Sequence, residues 1–201
     1  MRITIYAGSA RGNRPVYEES ARHFAREAVA GGHEIIYGGG SVGLMGAVAD
    51  AALAAGGRVT GVIPRSLADA ELLHPGLTST HIVDSMHERK QLMAELGECF
   101  VALPGGVGTI EEVLEVWAWL VLGHHTKPVA LMNVDGYWDR LIRLTQRMFA
   151  SGFMRPEESE SLLAVENAKE LFNALLLWTP PPARWQPAAG LPASAALRRE
   201  S

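Results

Sequence analysis

Short apolar runs alternate with longer helical patterns from the first residues onward. Arg2 to Ala7 reads as a buried strand, closed by Gly8-Ser9-Ala10-Arg11-Gly12. Pro15 to Ala30 reads as a helix, with Val16, Ser20, Phe24 and Ala28 near one face and Gly31-Gly32 stopping it. His33 to Tyr37 is a second strand, followed by Gly38-Gly39-Gly40; Leu44 to Ala55 is an alanine-rich helix ended by Gly56-Gly57. Arg58 to Ile63 predicts a third strand, closed at Pro64. A loop through Leu67–Leu77 and a strand over Ser79–Val83 follow. Ser85-Met86-His87-Glu88 has the spacing of a capping box and starts a helix reaching about Leu96. Cys99 to Leu103 is a central strand, Thr109 to Leu122 a helix, Pro128 to Met132 another strand, and Asp139–Ser151 and Ala168–Trp178 the last helices. This alternation predicts an α/β fold, a Rossmann-like doubly wound parallel sheet with right-handed crossovers and helices on both faces.

The pattern changes at Thr179. Pro180-Pro181-Pro182, Pro187 and Pro192 cannot continue a helix, so the expected division is a domain over 1–179 and a Pro/Ala-rich tail over 180–201. That tail is expected to be extended or mobile, with Trp185 a candidate anchor on the body.

Composition narrows the class. The 201 residues are 48% hydrophobic and 20% charged, which is ordinary for a globular chain. Lys and Arg number 18 against 22 Asp and Glu, a net charge of -4 without a basic block, which argues against a nucleic-acid partner. The lone cysteine, Cys99, excludes an intrachain disulfide and any multi-cysteine zinc site. Met1-Arg2 runs directly into the first strand without a signal-peptide layout, and no apolar run nears the roughly 18 residues that span a bilayer. The expectation is a soluble, cytoplasmic protein with no membrane partner. His23, His33, His74, His81, His87, His124 and His125 show no metal-ligand spacing, so no metal is expected; His124-His125 reads as a cation pair at a helix C-terminus.

Chemistry is expected beyond the carboxyl ends of the strands. Three glycine-rich loops fall there: Gly8-Ser9, Gly38 to Gly46, and Pro104 to Thr109. Glycine lets backbone N–H groups approach a phosphate closely. Gly38-x-Gly40-x-x-Gly43 fits the dinucleotide pattern formally. It follows the second strand, however, and Ile63-Pro64 stands where an acidic ribose ligand is expected. Gly43 and Gly46 read equally well as packing glycines. Leu103-Pro104-Gly105-Gly106-Val107-Gly108-Thr109-Ile110-Glu111-Glu112 is the strongest segment, because it joins a central strand directly to a helix start. It lacks the Gly-Lys-Ser/Thr of a P-loop. Glu111 fits an acidic residue favoured in a helix's first turn; Glu112 is different if it faces the cradle. Arg89 and Lys90 follow the capping box on the unfavourable side of the helix dipole. Either they are a solvated pair or they meet an anion, and the planar fork of Arg89 suits phosphate.

Pro104-Gly105-Gly106-Val107-Gly108-Thr109-Ile110-Glu111-Glu112 resembles the signature of the Lonely Guy (LOG) family. So do Gly8-Ser9, Tyr37 to Gly40 with Gly43-Leu44-Met45-Gly46, Val62-Ile63-Pro64, Met86-His87-Glu88-Arg89-Lys90 and Asn133-Val134-Asp135-Gly136-Tyr137. The resemblance runs from Ile3 to about Trp178. Ala7 stands where many members have Cys, and Val107 where Tyr is common. It implies a homodimeric cytokinin riboside 5′-monophosphate phosphoribohydrolase, which hydrolyses the N-glycosidic bond of N6-modified adenosine monophosphates without a cofactor. It further implies Arg89 and Glu112 as the essential residues, with Gly105, Gly106, Gly108 and Thr109 on the phosphate. Gly8, Ser9, Gly39, Gly40, Met86 and Lys90 complete the expected substrate-binding set. A second class remains open: a nucleotide or molybdenum-cofactor carrier on the same scaffold, which needs the glycines but not Arg89 with Glu112. The helix from Thr109 bears on the dimer. Ile110, Val113, Leu114, Trp117, Leu120 and Val121 form one apolar stripe, with Val116 and Trp119 off it and Leu122 widening it, so the helix is expected to be covered on more than one side.

Overall fold

A computed structural model describes residues 1–70 and 72–185. Seven strands form one parallel sheet in the order β4-β3-β2-β1-β5-β6-β7. They are β1 (Arg2–Tyr6), β2 (Glu34–Tyr37), β3 (Val59–Pro64), β4 (Ser79–Val83), β5 (Cys99–Ala102), β6 (Val129–Met132) and β7 (Leu162–Val165). The helices are α1 (Pro15–Ala30), α2 (Gly43–Ala54), α3 (Arg65–Ala68), α4 (Met86–Leu96), α5 (Val107–Leu122), α6 (Asp139–Ala150), α7 (Pro156–Ser159) and α8 (Ala168–Leu176). The chain steps outward from β1 to β4, returns to lay β5 beside β1, and steps outward the other way. The strand order therefore reverses between β1 and β5, and the expected doubly wound sheet is observed.

The two faces have separate cores. α1, α2 and α8 bury Phe24, Leu44, Val48 and Leu171 against Ile3, Ile5 and Val101. α4 and α5 bury Met93, Val113, Val116, Trp117 and Leu120 against Tyr6, Ile36, Phe100 and Leu131. Central strands covered on both faces are apolar at consecutive positions, which is why Cys99–Ala102 is buried throughout. Burial pushes the Cys99 thiol up to about 12, so it is a packing group.

Several expectations change. α5 begins at Val107, two residues before Thr109, so Glu111 and Glu112 lie beyond its first turn and the first-turn reading of Glu111 fails. Its buried face carries Val116, three and four positions from Val113 and Leu120, whereas Ile110 is exposed. The loop from Leu67 opens inside a short helix, α3. β7 and α7 were not anticipated: Leu162–Val165 is only four residues long, and its strand identity comes from pairing with β6. Trp185 does not anchor the segment after Pro180, being 78% exposed. Its neighbour Arg184 does, donating from its backbone N to Val121 O (3.0 Å) and from Nη2 to Phe153 O (3.2 Å). The tail expected beyond residue 185 lies outside the described residues. His125 is no cation at a helix end. Burial lowers its pKa, its Nε2 lies 2.8 Å from Val116 O, and its Nδ1 accepts the Lys127 N–H at 3.1 Å, the pattern of a neutral ring. No helix among the described residues is long and apolar enough to cross a membrane.

Candidate active site

The loops after β1, β2 and β5 meet at the topological switch point. Their glycines set how closely they meet. A Cβ on Gly8 would lie 3.1 Å from Gly105 Cα, and Gly8 N donates to Pro104 O at 3.1 Å, which fastens the first loop to the third. Gly43 has φ +62° and would place a Cβ 2.3 Å from Ser9 C; one on Gly46 would lie 2.1 Å from Ser41 O. Both are packing glycines. The Gly8 carbonyl accepts from Leu44 N (2.9 Å) and Met45 N (3.3 Å), so the N-terminus of α2 is capped by the protein itself. The N-terminus of α5 differs. Gly106 precedes it, and the first-turn N–H groups of Val107, Gly108 and Thr109 have no intrahelical acceptor. A Cβ on Gly106 or Gly108 would meet nothing within 4 Å, so this end faces open space.

That space is a cavity of about 480 Å³. Ser9, Gly38, Gly40, Gly106, Gly108 and Thr109 line it on the loop side, and Arg89, Glu112, Glu111 and Met86 on the helix side. Val42, Met45, Ile63, Leu67 and Leu72 give it an apolar wall. The segment after α3 supplies part of this wall because it is tied down: Ser41 N donates to Leu72 O and His74 N to Gly39 O, both at 2.9 Å.

Arg89 is 9% exposed and Glu112 8%. Arg89 Nη2 stands 3.4 Å from Glu112 Oε1, and its Nε donates to Val62 O at 3.3 Å. The solvated reading of Arg89 therefore fails. Glu112 Oε1 nevertheless has no hydrogen-bond partner in this arrangement, although it is fully buried. Burial pushes the Glu112 carboxyl above its ordinary range, and Arg89 offsets only part of that. Lys90 points the other way along α4, to Glu111 Oε1 and, at 3.0 Å, to Glu115 Oε1. Burial alone would lower its pKa; the hydrogen bonds to both glutamates outweigh this and hold the ammonium above its ordinary value. The anions that Arg89 and Lys90 meet are thus the carboxylates of α5.

Not every expected residue reaches the cavity. Arg89, Glu112, Ser9, Gly40, Met86, Gly106, Gly108 and Thr109 line it. Lys90 does not, being engaged with Glu111 and Glu115, and Gly39 instead turns the chain at φ +77°. Gly8 and Gly105 line a second cavity of about 360 Å³, with Tyr17 and Tyr137, which shares Ser9 and Gly106 with the first. Sequence reasoning missed Gly38, where a Cβ would lie 1.9 Å from Arg89 Nη2. Its place at the end of β2, first of three glycines, was the available signal. Leu67 and Leu72 offered none, since the fold of their loop brings them in. Among the described residues no three His, Cys, Asp or Glu side chains gather as a metal-ion site.

Residues 45–175 match a family model described as "Possible lysine decarboxylase". The chain is 44% identical over 179 residues to cytokinin riboside 5′-monophosphate phosphoribohydrolase LOG5 of Arabidopsis thaliana, covering 89% of this chain and 78% of that one. It is 43% identical over 178 residues to the probable cytokinin riboside 5′-monophosphate phosphoribohydrolase LOGL1 of Oryza sativa subsp. japonica, covering 89% and 80%. The molybdenum cofactor carrier protein of Chlamydomonas reinhardtii shares the fold, with a TM-score of 0.65 at 17% identity over 88% of this chain and 96% of that one. With identity above two-fifths along nearly the whole body of the molecule, this chain belongs to the LOG family, as those plant enzymes do.

Proposed function

We propose that the protein is a phosphoribohydrolase that cleaves the N-glycosidic bond of N6-modified adenosine 5′-monophosphates, with unmodified AMP as a further candidate substrate. The products are the free base, an active cytokinin for a suitably modified substrate, and ribose 5-phosphate. The observation that carries this reading is the buried Glu112 carboxylate, ion-paired with Arg89 but with Oε1 making no hydrogen bond, on the cavity wall beside the α5 N-terminus. A phosphate at Gly106, Gly108 and Thr109 would meet amide and hydroxyl donors, and the ribose would then lie toward Glu112.

The reaction breaks the bond from C1′ to the base nitrogen. Water supplies the oxygen that joins C1′, and a proton from that water ends on the base. Positive charge builds on the ribose as the bond stretches, and the Glu112 carboxylate opposes it. The same carboxylate is suited to bind ribose hydroxyls or to orient the water. Arg89 stays charged throughout and does not donate a proton. It acts as an electrostatic and hydrogen-bonding group toward the base or the phosphate. The apolar wall of Met45, Ile63, Leu67 and Leu72 suits an apolar N6 substituent. Lys90 supports the site from outside the cavity.

A carrier on this fold would need the glycines alone and leaves the buried Arg89–Glu112 pair, costly to desolvate, without a task. Decarboxylation through a lysine Schiff base finds no lysine at the cavity. Lys90 is held by two glutamates, Lys127 by the carbonyls of Ala94 and Glu95, and Lys169 is exposed on α8.

Residues 1–179 form the nucleotide-binding domain in this reading, with 180–201 as a tail, and the protein works in the cytoplasm as a homodimer. Support for the dimer comes from the outward side of α5, where Ile110 and Leu122 are exposed and Leu114 and Trp119 only partly covered. Incubation with isopentenyladenosine monophosphate and with AMP, followed by chromatography for free base, tests the activity. Base release is the expected result, and binding without release would favour the carrier.

A further inference from the structure

The segment Asn133 to Tyr137 stands outside the mechanism above, yet its end reaches the cradle. The Tyr137 hydroxyl donates to the Gly105 carbonyl oxygen. A peptide group is planar and trans, so the Gly105 oxygen and the Gly106 N–H point in opposite directions from one rigid plate. Drawing the oxygen toward Tyr137 turns the Gly106 N–H away from it. That N–H has no acceptor among the described residues; Gly106 lines both cavities, whereas Tyr137 lines only the second, so an N–H turned away from Tyr137 is turned toward the main one. The plate needs such a fastening because both its residues are glycines, for which rotating the peptide meets little steric resistance. A flipped plate would aim a carbonyl oxygen, instead of an amide, at the bound anion.

Tyr137 is itself held. Its ring packs edge-on against Tyr17 at 5.6 Å and Trp138 at 4.8 Å. It follows Asp135, whose backbone has φ +53° and whose carboxylate is gripped by Arg14. Asn133 Oδ1 accepts the Trp138 N–H at 2.7 Å. These contacts aim the hydroxyl without depending on it.

We infer that Tyr137 is a positioning residue: its hydroxyl locks the Gly105–Gly106 peptide in the orientation that presents the Gly106 N–H to the substrate phosphate. The inference rests on the phosphoribohydrolase reading for the identity of the anion. Tyr137→Phe removes the hydroxyl and keeps the ring, so the fold should survive. KM for the nucleoside monophosphate should rise roughly five- to ten-fold, as for the loss of one favourable hydrogen bond, with kcat nearly unchanged. Turnover of the matching riboside, which has no phosphate to hold, should not change. Tyr17→Leu serves as the second variant: it removes one ring contact but leaves the Trp138 packing and the Arg14 and Asn133 anchors that still aim the hydroxyl, and should leave KM within about twofold of wild type. AMP affinity, measured by calorimetry on Tyr137→Phe, should fall in parallel with KM. Unchanged KM and AMP affinity in Tyr137→Phe, or an equal loss on monophosphate and riboside, overturns the inference. Failure of the wild-type protein to release base would instead reject the enzymatic reading, while the calorimetric arm would still decide the role of Tyr137.

Discussion

The guanidinium of Arg89 occupies the space that a side chain on Gly38 would fill, with Nη2 only 1.9 Å from the position of a Cβ there. The obstructed atom is the far end of a flexible chain, so Gly38→Ala is accommodated by moving Arg89 and not by distorting the sheet. Tm should fall by no more than about 4 °C, the equivalent of about 1 kcal/mol in a chain of this size. Turnover should fall on the order of 100-fold, because the displaced guanidinium no longer faces Glu112. A variant with full activity would show that the placement of Arg89 is dispensable.

Glu112→Gln keeps the size of the side chain and removes its charge. Base release should drop by about 100- to 10,000-fold while AMP binding is retained, read by single-turnover assay and calorimetry. Arg89→Ala should lose activity as well. Near-normal turnover in either variant would remove that residue from the chemistry.

Because burial raises the Glu112 carboxyl, the acid limb of the kcat/KM profile should lie above the ordinary carboxylate range of about 4. Arg89→Lys should leave the limb near the same place, whereas Arg89→Ala should move it further up. The sign for stability follows from linkage. The native state binds the Glu112 proton more tightly than the unfolded chain, so this group's contribution is present at low pH and lost as pH rises through its native pKa. Glu112→Gln lacks this titration. Its unfolding free energy relative to wild type should therefore improve as pH rises above the ordinary carboxylate value of about 4, measured by urea titration.

The monophosphate should be strongly preferred over the riboside. The first turn of α5 offers several donors that a nucleoside leaves unanswered, and kcat/KM should differ by about 100-fold or more. Equal efficiency on the two would contradict a phosphate at Gly106 to Thr109.

Light scattering during size exclusion at low micromolar concentration should give twice the 21.7 kDa chain mass. Leu122→Glu, placed on the exposed side of α5, should shift that mass toward the monomer. A stable, active wild-type monomer would rule the dimer out.

The sheet was legible in the sequence because buried parallel strands are continuous apolar runs, and the glycine clusters marked where they end. β7 was not, since four residues flanked by turns carry too little pattern to be told from a loop. In the site, Glu112, Thr109 and the glycines before them were readable because they share one contiguous motif, and Arg89 because it follows a capping box in a second one. The partnership of Lys90 with Glu111 and Glu115 was not, because it depends on the angle at which α4 crosses α5. Gly38 escaped for a related reason: its importance lies in what stands opposite it, 51 positions further along the chain.

The open N-terminus of α5 has one more consequence. Arg89 is the single cation among the described residues lining the main cavity, and Glu112 already opposes it. On the proposed reading, a dianionic group is therefore gripped almost wholly by neutral dipoles whose fit is a matter of shape. Such a hold is screened far less by dissolved ions than one built from lysines and arginines.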